Sequence, residues 1–207
     1  MIGFYDYTVW LTYISLAVSV FGIFGSAAGD VKTGIICLAL SGFLDTFDGA
    51  VARTKKNRTD RQKAFGIEID SLSDLVCFGI GPVMIARAEG VNGWLGTAVL
   101  MIYGVAGLIR LAYFNVTEAE RQKSTAEKRK YYQGLPITAA SFFVPLYYLL
   151  SLIFGFEGIA AGWLILMLIM GILFIADIRI RKPSVKQVML TAAAAALLLA
   201  GIYALTR

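Results

Sequence analysis

Histidine is absent from the 207 residues of this chain. A histidine-bound zinc site is therefore excluded, and any general base for catalysis must be a carboxylate, a lysine, a tyrosine or a cysteine. Cysteine is nearly absent: Cys37 and Cys77 both lie inside apolar runs, where a small and weakly polar side chain is ordinary. These two thiols carry no information about the redox compartment.

Charged residues are also scarce, at 16% of the chain, against 58% hydrophobic residues and a mean hydropathy of +0.71. This composition excludes an ordinary soluble domain. Seven apolar runs each approach the ~20 residues that cross the hydrocarbon core of a bilayer: 8–29, 33–52, 67–88, 94–115, 135–154, 158–178 and 186–205. The sequence predicts an all-α, polytopic membrane helix bundle, with residues 1–207 forming a single integral membrane domain.

The basic residues are distributed unevenly between the connections of this bundle. Lys and Arg concentrate after the second, fourth and sixth runs, whereas the opposite connections hold only Lys32 and Arg87. The positive-inside rule therefore places the basic connections and the N-terminus in the cytoplasm and the C-terminus outside, in the cell (cytoplasmic) membrane. One explanation of these charges is membrane topology together with contact to anionic lipid headgroups. The alternative is that they also bind a nucleotide diphosphate.

Four carboxylates stand where two apolar runs meet the first basic connection: Asp45, Asp48, Asp70 and Asp74. On helices they form an i,i+3 pair and an i,i+4 pair, so each pair projects from one helix face. Charge inside an apolar run is costly, and acids crowded together are tolerable when hard divalent cations lie between them. Ligands that offer only oxygen suit Mg²⁺ or Mn²⁺, so we predict a metal site that opens toward the cytoplasm.

A divalent-cation transporter is an alternative to this metal site, because intramembrane acids also mark ion paths. The other runs, however, hold almost no acids that would continue a path across the membrane. Glu68 is two positions from Asp70 and therefore lies on a different helix face, so we exclude it from the metal site.

Small residues accompany the acids and leave room for a ligand to lie against the backbone. The full pattern is Asp45-x2-Asp48-Gly49-x2-Ala52-Arg53, then Gly66-x3-Asp70-x3-Asp74. It resembles the signature of the CDP-alcohol phosphotransferases, membrane enzymes that join an alcohol to a CDP-linked lipid. In one departure, twelve residues separate Arg53 from Gly66 where that family has about eight. The four extra residues amount to roughly one helical turn, which would extend the second helix or enlarge the loop.

This resemblance implies a fold, a metal content and a set of residue roles. It implies six core helices within about 8–178, with 186–205 as an additional helix, and two divalent ions, Mg²⁺ or Mn²⁺. A homodimer is expected, and a nucleic-acid partner is not. The implied metal ligands are Asp45, Asp48, Asp70 and Asp74, with Asp74 also the general base; the implied contacts to the CDP group are Asp48, Gly49, Ala52, Arg53 and Gly66.

Further segments resemble the phosphatidylserine synthase branch of this family. They are Arg110-Leu111-x2-Phe114-Asn115, Gly134-Leu135-Pro136-Ile137, and the residues around the second acidic pair. The resemblance implies transfer of the phosphatidyl group from CDP-diacylglycerol to L-serine. Serine is a zwitterion, and Arg110 and Asn115 are the candidates to hold its carboxylate. An arginine that merely snorkels to the interface is the alternative for Arg110. Glycerol phosphate, inositol phosphate or choline as acceptor, or an archaeal-type lipid donor, remain open.

Overall fold

A computed structural model describes residues 3–124, 131–156, 159–181 and 185–205 of the chain. Its described part is a bundle of α-helices: α1 (Trp10–Ala27), α2 (Val31–Thr54), α3 (Asp60–Asp74), α4 (Gly81–Ala88), α5 (Gly93–Ser124), α6 (Ala140–Phe154), α7 (Ala160–Ile175) and α8 (Val185–Leu205). Single turns of 3₁₀-helix, Tyr7–Val9 and Ile137–Ala139, lead into α1 and α6. The predicted all-α membrane bundle is confirmed.

Five helical spans of the described chain are long and apolar enough to cross a membrane: Tyr7–Ala27, Val31–Thr54, Asp60–Ala88, Gly93–Arg121 and Ile137–Phe154. The sixth apolar run gives a shorter helix, Ala160–Ile175. That helix ends early because Ala176 takes an extended conformation and the chain then enters a strand. Its 16 residues span about 24 Å, less than the ~30 Å hydrocarbon core.

The third span is not a uniform helix. Between α3 and α4 the segment Leu75–Ile80 is π-helical. Pro82 follows it and has no backbone N–H to donate to the carbonyl of Phe78, one turn earlier. The hydroxyl of Tyr103 in α5, which is fully buried, donates to that carbonyl at 2.7 Å. A neighbouring helix therefore satisfies the freed backbone oxygen, as a break in a membrane helix requires.

Close packing of α1 against α2 fixes the helix that carries the first acidic pair. The buried hydroxyls of Ser15 and Ser41 each donate to the other's backbone carbonyl, at 3.2 and 3.0 Å. Farther along the pair, a side chain on Gly22 would lie 2.5 Å from Cβ of Cys37. Small residues and interhelical hydrogen bonds of this kind let membrane helices approach one another closely.

The sequence did not predict a short β-ribbon near the ends of α5 and α7. Strand β1 (Tyr131–Gln133) pairs antiparallel with β2 (Arg179–Arg181). Two further backbone bonds extend the connection, from the N–H of Gly134 to Ile178 and from that of Leu135 to Leu173, at 2.9 and 2.8 Å. The ribbon therefore joins the entry of α6 to the exit of α7.

The N-terminal segment is fastened to the end of α2. Asp6 accepts hydrogen bonds from the backbone and hydroxyl of Thr8 and forms an ion pair with Lys55 at 3.0 Å. The Thr8 hydroxyl, with Lys55, lowers the pKa of the Asp6 carboxyl to about 2. The hydroxyls of Tyr7 and Thr54 lie 3.1 Å apart and add a second link at the same place.

The predicted orientation is testable with introduced cysteines. Asn57, in the α2–α3 loop, and Asn92, before α5, are exposed, whereas the native Cys37 and Cys77 are buried and should react little. In intact cells Asn92→Cys should react with a membrane-impermeant maleimide, and Asn57→Cys should react only after the cytoplasmic face is exposed. Labelling of Asn57→Cys from outside would reverse the orientation.

Candidate active site

The two acidic pairs come from the end of α2 and the end of α3. Between them, Thr59 starts α3 with a capping box, in which the Thr59 hydroxyl accepts from the backbone N–H of Gln62 and the Gln62 side chain accepts from that of Thr59. Such reciprocal bonds define a helix start sharply. Most of the twelve residues between Arg53 and Gly66 are therefore helical, and only residues 55–59 form a loop.

The acids approach one another in pairs that cross between the two helices. The Asp45 side chain lies within hydrogen-bonding reach of Asp74, and Asp48 lies within reach of Asp70. Carboxylate oxygens of Asp45, Asp70 and Asp74 lie within 4.8 Å of one another, and all three residues are partly buried. Partly buried anions this close repel unless a cation or a proton intervenes, so this oxygen-only donor set fits a hard divalent ion.

Asp48 adjoins this group of three through Asp70 but is not one of its members. It lies one turn beyond Asp45 on α2, and the hydroxyl of Thr12 in α1 donates to it at 3.4 Å. The structure therefore brings together three of the four predicted metal ligands and places the fourth beside them, on the α1 side.

A cavity of about 150 Å³ lies on that side. Of the five residues predicted to contact the CDP group, four line it: Asp48, Gly49, Ala52 and Gly66. It is also lined by residues that the sequence did not single out, namely Thr8, Thr12, Arg58, Lys63 and Ile67, and by Asp70. The hydroxyls and the basic loop gave no distinguishing signal, because threonines are frequent in apolar helices and Arg58 is one of six basic residues in its segment.

Arg53, the fifth predicted contact, faces a different cavity of about 570 Å³. Its guanidinium folds back over α2, where a side chain added to Gly49 would lie 3.4 Å from Nη1 of Arg53. A long side chain at a helix end can reach either side of the helix, which the sequence pattern alone does not decide.

The larger cavity also receives Asp70, Asp74 and the two predicted acceptor residues, Arg110 and Asn115. Arg110 is only 8% exposed, its Nε donates to the carbonyl of Leu135 at 3.2 Å, and its guanidinium lies over the Phe114 ring. A snorkelling arginine would extend into water, so this burial argues against that alternative. The Asn115 amide donates to the Ser71 hydroxyl at 2.9 Å, which fixes its position beside the acids.

The fold and this site define a class: a polytopic helical membrane protein with an acidic cluster in which Asp70 lines two cavities. Residues 8–175 match the CDP-alcohol phosphatidyltransferase family. The match spans most of the chain, and the chain belongs to this family.

Several relatives carry the name CDP-diacylglycerol–serine O-phosphatidyltransferase. One from Saccharomyces cerevisiae is 44% identical over 94 residues, which is 45% of this chain and 33% of the relative. One from Helicobacter pylori is 33% identical over 181 residues, 86% of this chain and 71% of the relative. One from Mycobacterium tuberculosis is 28% identical over 175 residues, 83% and 59% respectively. The chain thus spans a third of the yeast relative and under two thirds of the mycobacterial one.

Metal binding can be measured without turnover. Titration of the purified protein with Mn²⁺, followed by electron paramagnetic resonance, should show binding that Asp45→Asn weakens by at least about tenfold, because even outer-shell changes commonly cost that much. Glu68→Gln, on the same helix as Asp70 but outside the cluster, should bind Mn²⁺ like the unaltered chain. Equal losses in both variants would contradict the assigned ligand set.

Proposed function

We propose that the chain transfers the phosphatidyl group of CDP-diacylglycerol to the hydroxyl of L-serine, giving phosphatidylserine and CMP. One observation carries this proposal: Asp70 lines both cavities, so a ligand in each would meet at the carboxylate cluster. The names of the relatives from yeast, Helicobacter and Mycobacterium support the choice of donor and acceptor.

The smaller cavity is proposed as the site of the CDP group. Gly49, Ala52 and Gly66 present backbone and methyl groups there, which lets part of a ligand approach the helix backbones closely. Asp45, Asp48, Asp70 and Asp74 would hold two divalent ions, Mg²⁺ or Mn²⁺. When bound, such ions would neutralise negative charge on the pyrophosphate and on the departing phosphate.

The larger cavity is proposed as the acceptor site. Serine is a zwitterion, and Arg110 offers a positive charge for its carboxylate, with Asn115 adjacent. Glu68 also lines this cavity and offers negative charge for the ammonium group, whereas Glu118, on the same wall, is paired with Arg121 at 2.6 Å. A site that carries both signs in a partly enclosed cavity suits a zwitterion better than choline, which lacks a carboxylate.

The proposed reaction is a direct displacement. The serine oxygen forms a bond to the phosphorus that carries the diacylglycerol, the bond from that phosphorus to the CMP oxygen breaks, and Asp74 accepts the hydroxyl proton. Asp74 suits this role because it lines the larger cavity and not the smaller one. The acyl chains stay in the lipid while the nucleotide and serine reach the site from water. The cytoplasmic orientation and the homodimer stay predictions.

The deciding experiment is release of CMP from CDP-diacylglycerol by the purified protein with a panel of alcohols. Serine should give the highest kcat/KM, excess EDTA should abolish release, and Mg²⁺ or Mn²⁺ should restore it. Higher kcat/KM for glycerol phosphate, inositol phosphate or choline would correct the acceptor, and full activity in excess EDTA would overturn the metal assignment.

Asparagine substitutions should separate the roles of two acids. Asp74→Asn keeps an oxygen for a metal but removes the base, so the single-turnover rate should fall by about 10²–10⁴-fold while CDP-diacylglycerol still binds. Asp48→Asn, on the wall of the smaller cavity, should instead weaken metal-dependent binding of the donor. Near-normal turnover in Asp74→Asn would place the base elsewhere.

A further inference from the structure

The guanidinium of Arg58 is anchored by one hydrogen bond but has a second donor without an acceptor. It lies in the loop between α2 and α3, within the stretch that is four residues longer than the family pattern. Its Nη2 donates to the backbone carbonyl of Gln62 at 3.0 Å, which anchors the side chain to the first turn of α3. Its Nε is shielded from solvent and, in the part of the chain that the structure describes, has no hydrogen-bond partner. A shielded donor without an acceptor is costly, so the placement of this side chain is not explained by its own hydrogen bonds.

The guanidinium lies against the proposed nucleotide cavity. A side chain added to Gly66 would come within 2.5 Å of Nη2 of Arg58, so a larger residue at position 66 would displace the guanidinium from this place. Asp48 and Asp70 line the same cavity and belong to the acidic pairs. A group bound between them and Arg58 would face carboxylates, with any metal they hold, on one side and a planar cation on the other.

The other basic side chain of this cavity is already paired. Lys63 donates to Asp60 at 3.0 Å, which offsets its charge. Arg58 forms no ion pair among the described residues, and guanidinium groups bind phosphate oxygens through two parallel hydrogen bonds. An anion with several oxygens therefore fits this position better than an uncharged ligand.

We propose that Arg58 binds the pyrophosphate of the CDP-linked donor, so that the lengthened α2–α3 segment supplies a phosphate contact that the eight-part signature does not contain. This assignment rests on the proposed function of the cavity as the CDP site. It makes Arg58 a residue of the donor site, since Arg58 lines the smaller cavity and not the larger one.

The test is the affinity of the detergent-solubilised full chain for CDP in the presence of Mg²⁺, measured by calorimetry without any acceptor. Arg58→Ala should weaken CDP binding by about 10- to 100-fold, the usual loss for a hydrogen-bonded charged contact. The CDP affinity of Arg58→Lys should lie between those of the unaltered chain and of Arg58→Ala, because lysine keeps the charge but not the planar guanidinium. Arg61→Ala is the matched control, since Arg61 is an exposed residue of the same segment that does not line the cavity.

Turnover adds a readout that a purely structural role would not give. Arg58→Lys should raise KM for CDP-diacylglycerol and leave KM for serine unchanged, with a thermal midpoint like that of the unaltered chain. Unaltered CDP affinity in Arg58→Ala would overturn the assignment, as would equal losses in Arg58→Ala and Arg61→Ala. If the unaltered chain itself fails to bind CDP with Mg²⁺, the proposed function fails, and the assignment of Arg58 fails with it.

Discussion

Mutual repulsion among partly buried carboxylates is the constraint on which this structure depends. Asp45, Asp70 and Asp74 bring oxygens within 4.8 Å of one another at the edge of an apolar bundle, where repulsion is screened less than in water. The surrounding helices must therefore hold the acids in place whether or not a cation balances them. The reciprocal bonds of Ser15 and Ser41 and the close approach at Gly22 provide that rigidity for α2.

Because the acids cross between helices in pairs, they separate the site into two sides. The α1 side is small and combines glycine, alanine and threonine with the basic side chains of Arg58 and Lys63, whereas the α5 side is larger and carries long side chains of both charge signs. Asp70 belongs to both. The proposed two-substrate reaction would benefit from this arrangement, because each ligand would contact different elements and the two would meet at the acids.

The sequence was informative where chemistry follows from helix periodicity and less so where it depends on side-chain direction. Composition and run length predicted the all-α bundle, and spacing on α2 and α3 predicted that the acids share faces. Spacing did not predict that Asp48 would turn toward α1 or that Arg53 would face the larger cavity. The direction of a side chain near a helix end depends on its contacts with other elements, which the spacing does not contain. The β-ribbon was missed because strands of three residues leave no detectable alternation. Arg58 was missed because its neighbours are equally basic.

The hydrogen bond from the Tyr103 hydroxyl to the Phe78 carbonyl joins α5, which carries Arg110, to the segment that follows Asp70 and Asp74. Seven residues after Tyr103, and so about two turns or roughly 10.5 Å along the same face of α5, comes Arg110. The tyrosine hydroxyl therefore ties α5, at a defined residue, to the π-helical segment that continues the helix of Asp70 and Asp74. The distance from Arg110 to the acids therefore depends in part on a contact in the apolar interior, made by a residue that lines neither cavity. Substitutions at Tyr103 would therefore be able to change the position of Arg110 in the larger cavity without altering a residue of the cavity wall.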